Sequence, residues 1–270
     1  MKILTLILLF IITLSEIVNA DEFSVPESVY SQAFNKEELS SQPQLSEITY
    51  RQFQPIQKQI SATKYDQALN SLNKLVNRHH SKPYVISVAM KSAAYIYIAQ
   101  EAYSKAMVWM VRTLKLSAMS MTELQSIRHD LSQLQLQAGQ YQNAVITLQD
   151  WLKFAKPSQI TLDDYQSISV SEFQLEHYHN ARQAAQKGLK HAKKPLELFY
   201  KIILSCDFAL KDYKAADETL SILVKLNPKQ KSYWLQWAGV FDLRDKADKA
   251  LIIFELMDQR QMLNNEQERI

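Results

Sequence analysis

Residues 213–254 of the chain read YKAADETLSILVKLNPKQKSYWLQWAGVFDLRDKADKALIIF. Apolar residues recur in this stretch at intervals of three and four, which is the pattern of amphipathic helices. Trp234 and Trp237 stand before Ala250 at the spacing of the first helix of a helical pair, and Phe254 follows that alanine one helical turn later. An asparagine and a proline interrupt the pattern midway, where one helix ends and another begins. The stretch therefore predicts consecutive helices that pack on one another around a small residue.

The same arrangement recurs along the chain as a tyrosine followed three residues later by an alanine. The pairs are Tyr65/Ala68, Tyr103/Ala106, Tyr141/Ala144, Tyr178/Ala181 and Tyr213/Ala216, and Ala250 follows without a tyrosine. Successive alanines lie about 34 to 38 residues apart, close to the length of a tetratricopeptide repeat. The alanine is needed where the two helices of a repeat cross closely. We predict an all-α fold, a right-handed superhelical array (an α-solenoid) of about six such helix-turn-helix repeats.

Turn and cap positions follow from the same register. Gly139 stands five residues before its alanine, where glycine lets the chain reverse between the two helices of a repeat. The other repeats place Thr63, Glu101, Glu176, Lys211 and Asp245 at that position. The segments 120–123 and 161–164 have capping-box patterns, which predict that new helices begin there. Pro55 lies inside the first predicted helix and should kink it or delay its start.

Composition and charge exclude several classes of protein. The 270 residues include only three glycines, which argues against turn-rich β-folds and phosphate-binding α/β enzymes. The net charge of +3 arises from 31 basic and 28 acidic residues without long runs of one sign, so we predict no nucleic-acid partner. No catalytic sequence motif is present, and we predict a protein that is not an enzyme and has no cofactor.

Two further residue types are candidates for a site. His177 and His179 flank Tyr178 in a predicted turn and could begin a metal site, but no Cys, Asp or Glu at matching spacing completes it. The favoured interpretation is therefore that they are solvated turn residues and that no metal is bound. Cys206, the only cysteine, is interpreted as a small buried hydrophobe. An enzyme or metal-binding protein built on the two histidines is the remaining alternative.

Residues 1–20 have the pattern of a secretory signal peptide. Lys2 precedes an apolar run over residues 3–14, and Val18 and Ala20 are small residues at the −3 and −1 positions of a cleavage site. This run is short for a membrane span, which needs about 20 residues, although a membrane anchor is an alternative. We predict cleavage after Ala20 and no integral membrane segment afterwards. The predicted regions are a signal peptide (1–20), a flexible polar lead-in (21–44), the helical array (45–260) and a short tail (261–270).

A partner-binding surface can be projected from the repeat register. First-helix positions line the inner groove of tetratricopeptide arrays. In this chain those positions are Lys91, Tyr95, His129, Gln133, Gln166, Phe173, Lys201 and Phe208. Such a groove is amphipathic and mildly positive, which suits a peptide or protein segment. The alternative interpretation is that these residues are only solvated or packed.

Two longer stretches carry a more specific resemblance. They are residues 141–158 (YQNAVITLQDWLKFAKPS) and 212–263, which extends the opening segment, and the matching residues are Trp151, Asn227-Pro228, Tyr233-Trp234 and Ala250-Leu251. They resemble periplasmic tetratricopeptide proteins encoded with TonB energy-transduction systems of Gram-negative bacteria. The resemblance implies a periplasmic accessory of the inner-membrane motor that drives uptake of iron chelates, with partners of the TonB, ExbB and ExbD type. It brings no catalytic residues with it.

The C-terminal repeats match the repeat pattern best, and function is expected there first. Family members generally continue for further repeats, so a shortened chain should expose apolar residues of its last repeat, namely Ile252, Ile253, Leu256 and Met262. A partner, the lead-in segment or self-association with a second copy would cover them. The leading hypothesis is a scaffold for protein interactions in a TonB-dependent transport system. The alternative is a scaffold for envelope assembly, pilus or secretion machinery.

Overall fold

The computed structural model describes residue 23 and residues 44–263 of the chain. The predicted signal peptide, most of the lead-in and the end of the tail lie outside these residues. Twelve α-helices and one short 3-10 turn, but no strand, are found in the described part, which confirms the all-α prediction. The helices are α1 (Glu47–Ser61), α2 (Tyr65–Arg78), α3 (Pro83–Ala99), α4 (Tyr103–Leu116), α5 (Met121–Gln137), α6 (Tyr141–Leu152), α7 (Leu162–Gln174), α8 (Tyr178–His191), α9 (Glu197–Ala209), α10 (Tyr213–Leu226), α11 (Lys231–Asp242) and α12 (Ala247–Gln259).

Consecutive helices pair into six repeats, and the second helix of each begins where the register places it. Five of these second helices begin at the recurring tyrosine, and α12 begins at Ala247. The recurring alanine is the fourth residue of its helix and is at most 9% exposed in every repeat. These alanines are Ala68, Ala106, Ala144, Ala181, Ala216 and Ala250. A larger side chain there would force apart the helices that cross at that point.

The turn inside each repeat has the same geometry. Gly139 has a φ of +69°, and the other five turn residues have φ between 54° and 61°, although none of them is glycine. In the first repeat, the N–H of Thr63 donates to the carbonyl of Ile60, and the N–H of Lys64 donates to the carbonyl of Gln59, both at 2.9 Å. This pair of bonds defines a Schellman motif, which closes a helix through one left-handed residue. The six predicted turn positions are confirmed.

The predicted helix starts are also present. The N–H of Ser120 donates to the carboxylate of Glu123 and the N–H of Glu123 donates to the Ser120 hydroxyl, as a capping box requires. The corresponding box at Thr161 begins α7. The delayed start expected from Pro55 is wrong, because α1 begins at Glu47 and runs through the proline.

The described residues divide into two compact units, with the boundary between Ile127 and Arg128, and each unit has its own core. Ile86, Met90 and Met110 are fully buried in the first. The largest cluster of the second unit is formed by α9 to α12 and includes Trp234 and Met257. Among residues 44–263, no helix combines the length and the apolar character needed to cross a bilayer.

Candidate functional site

The first compact unit contains a cavity of about 450 Å³ on the first-helix side of its repeats. Its walls come from α1 and α3, from the start of α2 and from the beginning of α5. Two of the predicted groove residues, Lys91 and Tyr95, line it. The aromatic residues of the lining are Tyr50, Phe53, Tyr65, Tyr84 and Tyr95. We refer to this space as the aromatic cavity.

The spacing of residues along α3 explains why one face of this helix lines the aromatic cavity. Tyr84, Val88, Lys91 and Tyr95 are separated by steps of four, three and four, so they lie on one side of the helix. The opposite side of α3 is packed in the core, where residues such as Met90 are fully buried. Tyr95 itself remains 36% exposed. The helix therefore combines a packed face with a face that is open to a ligand.

The aromatic cavity contains two charged side chains, Lys91 and Glu123, and a hydrogen bond from Ser120 positions the carboxylate of Glu123. One carboxylate oxygen of Glu123 accepts from the Ser120 hydroxyl at 2.8 Å, and the other lies 3.9 Å from the Lys91 ammonium group. Burial, with a smaller contribution from Glu123, raises the pKa of Tyr84, so its phenol stays protonated and can donate. The cavity thus offers apolar walls together with one cation, one anion and a hydroxyl donor.

Sequence reasoning missed most of this lining. Phe53 and Gln57 stand before Ala68 at the same spacings at which Lys91 and Tyr95 stand before Ala106. Projecting the register onto the first repeat would therefore have found them. Glu123 could not have been placed there from the repeat register, because it belongs to a capping box and faces Lys91 from another repeat.

His129, a further predicted groove residue, lies in the second compact unit and links two repeats. Its Nε2 is 2.8 Å from the carboxylate of Asp164, and its ring centroid is 4.7 Å from that of Trp151. The hydrogen bond to Asp164 outweighs burial and raises the pKa of His129. Burial alone would raise the pKa of Asp164, but hydrogen bonds from His129 and Thr161 hold it below its ordinary value. This pair therefore joins α5 to α7.

The other predicted groove residues are spread over the second unit. Phe173 packs its ring 5.3 Å from that of Tyr178, and Phe208 packs against the cluster of α9 to α12. Lys201 is exposed, whereas Gln133 and Gln166 are half-buried. A separate cavity of about 370 Å³ in this unit is lined by none of the predicted residues. The structure thus places Lys91 and Tyr95 together in one cavity and the remaining six elsewhere.

The histidines that could begin a metal site have other partners. His177 is not simply a solvated turn residue, because its Nδ1 lies 2.8 Å from the carboxylate of Glu172, which is 4% exposed. Within the described residues, no group of three His, Cys, Asp or Glu side chains could hold a metal ion. Cys206 is fully buried, and this burial raises the pKa of its thiol to about 11, so the thiol stays protonated.

Beside Cys206, a buried carboxylate joins three helices. Asp207 is fully buried and accepts hydrogen bonds from Arg182 at 3.0 Å and from Thr219 at 2.9 Å. Arg182 also donates to Asp212, which caps α10 through the N–H of Ala215. Removing one member would leave a buried charge without its partner, which is strongly destabilising. This cluster has a structural explanation in the packing of α8, α9 and α10.

The last repeat only partly follows the expected exposure. Ile252 is 52% exposed, but Ile253 is 4% exposed, so the expectation for Ile253 is wrong. Ile253 lies three residues after Ala250 on the face of α12 that packs into the cluster, whereas its neighbour points away. Leu256 and Met262 are partly buried against the same cluster.

Solved structures share this architecture. A tetratricopeptide repeat protein from Parabacteroides merdae ATCC 43184 is 14% identical, with 79% of this chain and 80% of that chain covered and a TM-score of 0.50. MamA from AMB-1 is 13% identical, with 68% of this chain and 96% of that chain covered and a TM-score of 0.50. The chain has the tetratricopeptide-repeat fold. A second MamA structure is 11% identical, with 66% of this chain and 97% of that chain covered and a TM-score of 0.50.

At such low identities these likenesses concern the tetratricopeptide fold alone. No protein-family model matches the sequence. No curated protein matches it either. The resemblance of residues 141–158 and 212–263 to TonB-associated proteins stays a prediction.

Proposed function

We propose that this tetratricopeptide chain is a non-enzymatic scaffold that binds an extended segment of a partner protein in the aromatic cavity. The observation that carries the proposal is the arrangement of Lys91 and Tyr95 on one open face of α3 beside a space of about 450 Å³. Ligand pockets in proteins have volumes of about 300 to 1,000 Å³ and combine apolar walls with a few polar groups. The aromatic cavity has both properties.

The chemistry of the lining indicates how such a segment would be held. Aromatic rings supply large contact areas at a small cost in side-chain entropy, which suits an apolar side chain of the partner. The Lys91 ammonium group and the Glu123 carboxylate can accompany it by binding the peptide carbonyl and N–H groups on either side. A partner segment with one apolar residue and an accessible backbone fits this description.

We further propose that the protein is exported to the periplasm and serves as an accessory of a TonB-dependent transport system. The pattern of residues 1–20 supports export with cleavage after Ala20. The resemblance of residues 141–158 and 212–263 supports partners of the TonB, ExbB and ExbD type. Genes for these components beside the gene for this chain would add independent support.

The proposal is tested by titrating the purified periplasmic segments of TonB and ExbD from the same genome into the full-length mature protein. Isothermal calorimetry should detect binding to at least one of them. Tyr95→Ala should weaken it about tenfold, as expected for a central aromatic contact. Tyr103→Ala is the matched control, because Tyr103 is 42% exposed and does not line the cavity.

Two results would contradict different parts of the proposal. Binding that Tyr95→Ala leaves unchanged would show that the partner does not use the aromatic cavity. A complete lack of binding to both segments would refute the TonB assignment.

A further inference from the structure

Phe23 is buried, although it belongs to the polar lead-in that precedes the helical array. Only 2% of its surface is exposed. Its ring meets that of Trp109 edge to face, with centroids 4.6 Å apart and an interplanar angle of 65°. Its backbone N–H lies 3.4 Å from the hydroxyl of Tyr97 and donates to it. A residue from outside the repeats therefore occupies a specific place on α3 and α4.

The place that Phe23 occupies is an aromatic socket with a cationic rim. Tyr97 and Trp109, which form its walls, are 3% and 6% exposed. The guanidinium of Arg112 lies 4.9 Å from the Trp109 ring centroid, and the ammonium of Lys105 lies 5.7 Å from that of Tyr97. We call these four residues the Phe23 socket. Cations over aromatic faces are held there electrostatically, so they bring positive charge to the rim.

The Phe23 socket is separate from the aromatic cavity. Tyr97 and Tyr95 are two positions apart on α3, so their side chains project on nearly opposite sides of the helix. Trp109, Lys105 and Arg112 do not line the cavity. A ligand in the socket would therefore leave the cavity open, and the two sites can be tested independently.

The sequence around Phe23 matches the charge of the rim. Asp21 and Glu22 precede it directly. We propose that the Phe23 socket is a docking site for linear protein segments in which acidic residues directly precede an aromatic one, and that the chain's own Phe23 competes for it. Among the described residues, Phe23 contributes one ring contact with Trp109 and one hydrogen bond of 3.4 Å to Tyr97, and a partner segment that adds further contacts to the cationic rim would displace it. The tethered Phe23 then inhibits binding of the partner segment, and the strength of this inhibition depends on the effective concentration of Phe23 at the socket.

The test uses a fluorescein-labelled peptide, DEFSVPE, which corresponds to residues 21–27. Its binding to the full-length protein is followed by fluorescence anisotropy. Phe23→Ala, which removes the resident ring, should bind the peptide saturably, whereas the wild type should bind at least about tenfold more weakly because its socket is occupied. Adding Arg112→Glu to Phe23→Ala should weaken the interaction, and the peptide DEASVPE should not bind.

Any one of four results would overturn the proposal. A folded Phe23→Ala protein that does not bind DEFSVPE, or that binds it no better than the wild type, would show a purely structural contact. Loss of helical circular dichroism in Phe23→Ala would likewise make Phe23 part of the fold. Dimerisation of the wild type but not of Phe23→Ala in sedimentation would show that a second copy fills the socket.

Discussion

The second and sixth repeats use equivalent first-helix positions in opposite ways. In α3 of the second repeat, Tyr95 precedes the repeat alanine by about three helical turns and lines the aromatic cavity. In α11 of the sixth repeat, Gly239 stands at that position, and a Cβ atom added there would meet no described atom within 4 Å. The aromatic residues of α11 are instead committed to packing, with Trp234 only 3% exposed.

This difference shows that agreement with the repeat pattern reports packing and not binding. The sixth repeat matches the pattern best because its tryptophans pack into or against the cluster of α9 to α12 and are held by further contacts. The Trp234 indole N–H donates to the carbonyl of Pro228 at 2.9 Å, and Arg260 lies 4.9 Å from its ring. We therefore propose that binding occurs at the second repeat and not, as the sequence pattern suggested, at the C-terminal repeats. The second repeat departs from the pattern and leaves aromatic surface for a ligand.

The largest effect on stability is expected from Trp234→Ala in the sixth repeat, which we call closed because its aromatic residues are packed and line neither the aromatic cavity nor the cavity of the second unit. Loss of a buried tryptophan and its hydrogen bond should cost about 3 to 5 kcal/mol of unfolding free energy. Hydrogen exchange should show the loss in α11 and α12, because repeats unfold locally. Tyr95→Ala, by contrast, should cost clearly less than Trp234→Ala, because Tyr95 is 36% exposed whereas Trp234 is 3% exposed. Equal destabilisation by the two variants would break the distinction between the repeats.

A pair of glycine substitutions sharpens the comparison between packed and open positions. In α8, a Cβ atom on Gly188 would lie 2.5 Å from Cζ of Phe199, which is itself buried at 1% exposure. Gly188→Ala should therefore destabilise the protein by about 1 to 3 kcal/mol. Gly239→Ala should instead stabilise it by about 0.5 to 1 kcal/mol, because alanine favours the helix and nothing obstructs it. Urea denaturation measures both, and the same sign for both would contradict the described packing.

The turn of the third repeat, which lies between the second and the sixth in sequence, contains Gly139, and substitutions there test whether the left-handed turn geometry is required. Gly139 has a positive φ that alanine rarely adopts, so Gly139→Ala should cost about 1 kcal/mol. Gly139→Asn should cost less, because asparagine tolerates this conformation better. Thermal unfolding compares the two variants. If alanine were tolerated as well as asparagine, the turn would not be left-handed in solution.

The smallest effect concerns His129, which occupies in the third repeat the position of Lys91 in the second. Because the folded pKa of His129 is raised above its ordinary 6.5, its link to Asp164 stabilises the fold below that value and weakens as the pH rises through the raised pKa. Because the folded pKa of Asp164 is lowered, its hydrogen bonds stabilise the fold above its ordinary pKa of 3.8, and this stability is lost only as the pH falls through the lowered pKa. The pair of His129 and Asp164 therefore stabilises the fold most between pH 3.8 and pH 6.5.

We accordingly expect a slightly higher melting temperature at about pH 5.5 than at about pH 8 from this pair. His129→Gln should reduce the difference. A pH dependence that His129→Gln does not alter would assign it to other groups.

The period of the alanines was sufficient to predict the helices, their pairing and the six turns, because local geometry repeats whenever the register does. The cavity could not be predicted in the same way. Its volume depends on how far side chains from α1, α3 and α5 fill the space between them, and the pairing of Lys91 with Glu123 crosses a repeat boundary. The burial of Phe23 had no periodic signal at all, since the polar lead-in has no apolar repeat.

The central claim is that the partner binds at the open second repeat and not at the closed sixth. The most direct measurement is site-specific photo-crosslinking in the native host, with p-benzoylphenylalanine at Tyr95 or at Leu235. Leu235 stands at the same register position as Lys91 and is 40% exposed, so it is a fair comparison. We predict a discrete crosslinked complex from Tyr95 and none from Leu235. A complex formed from Leu235 alone would contradict the account.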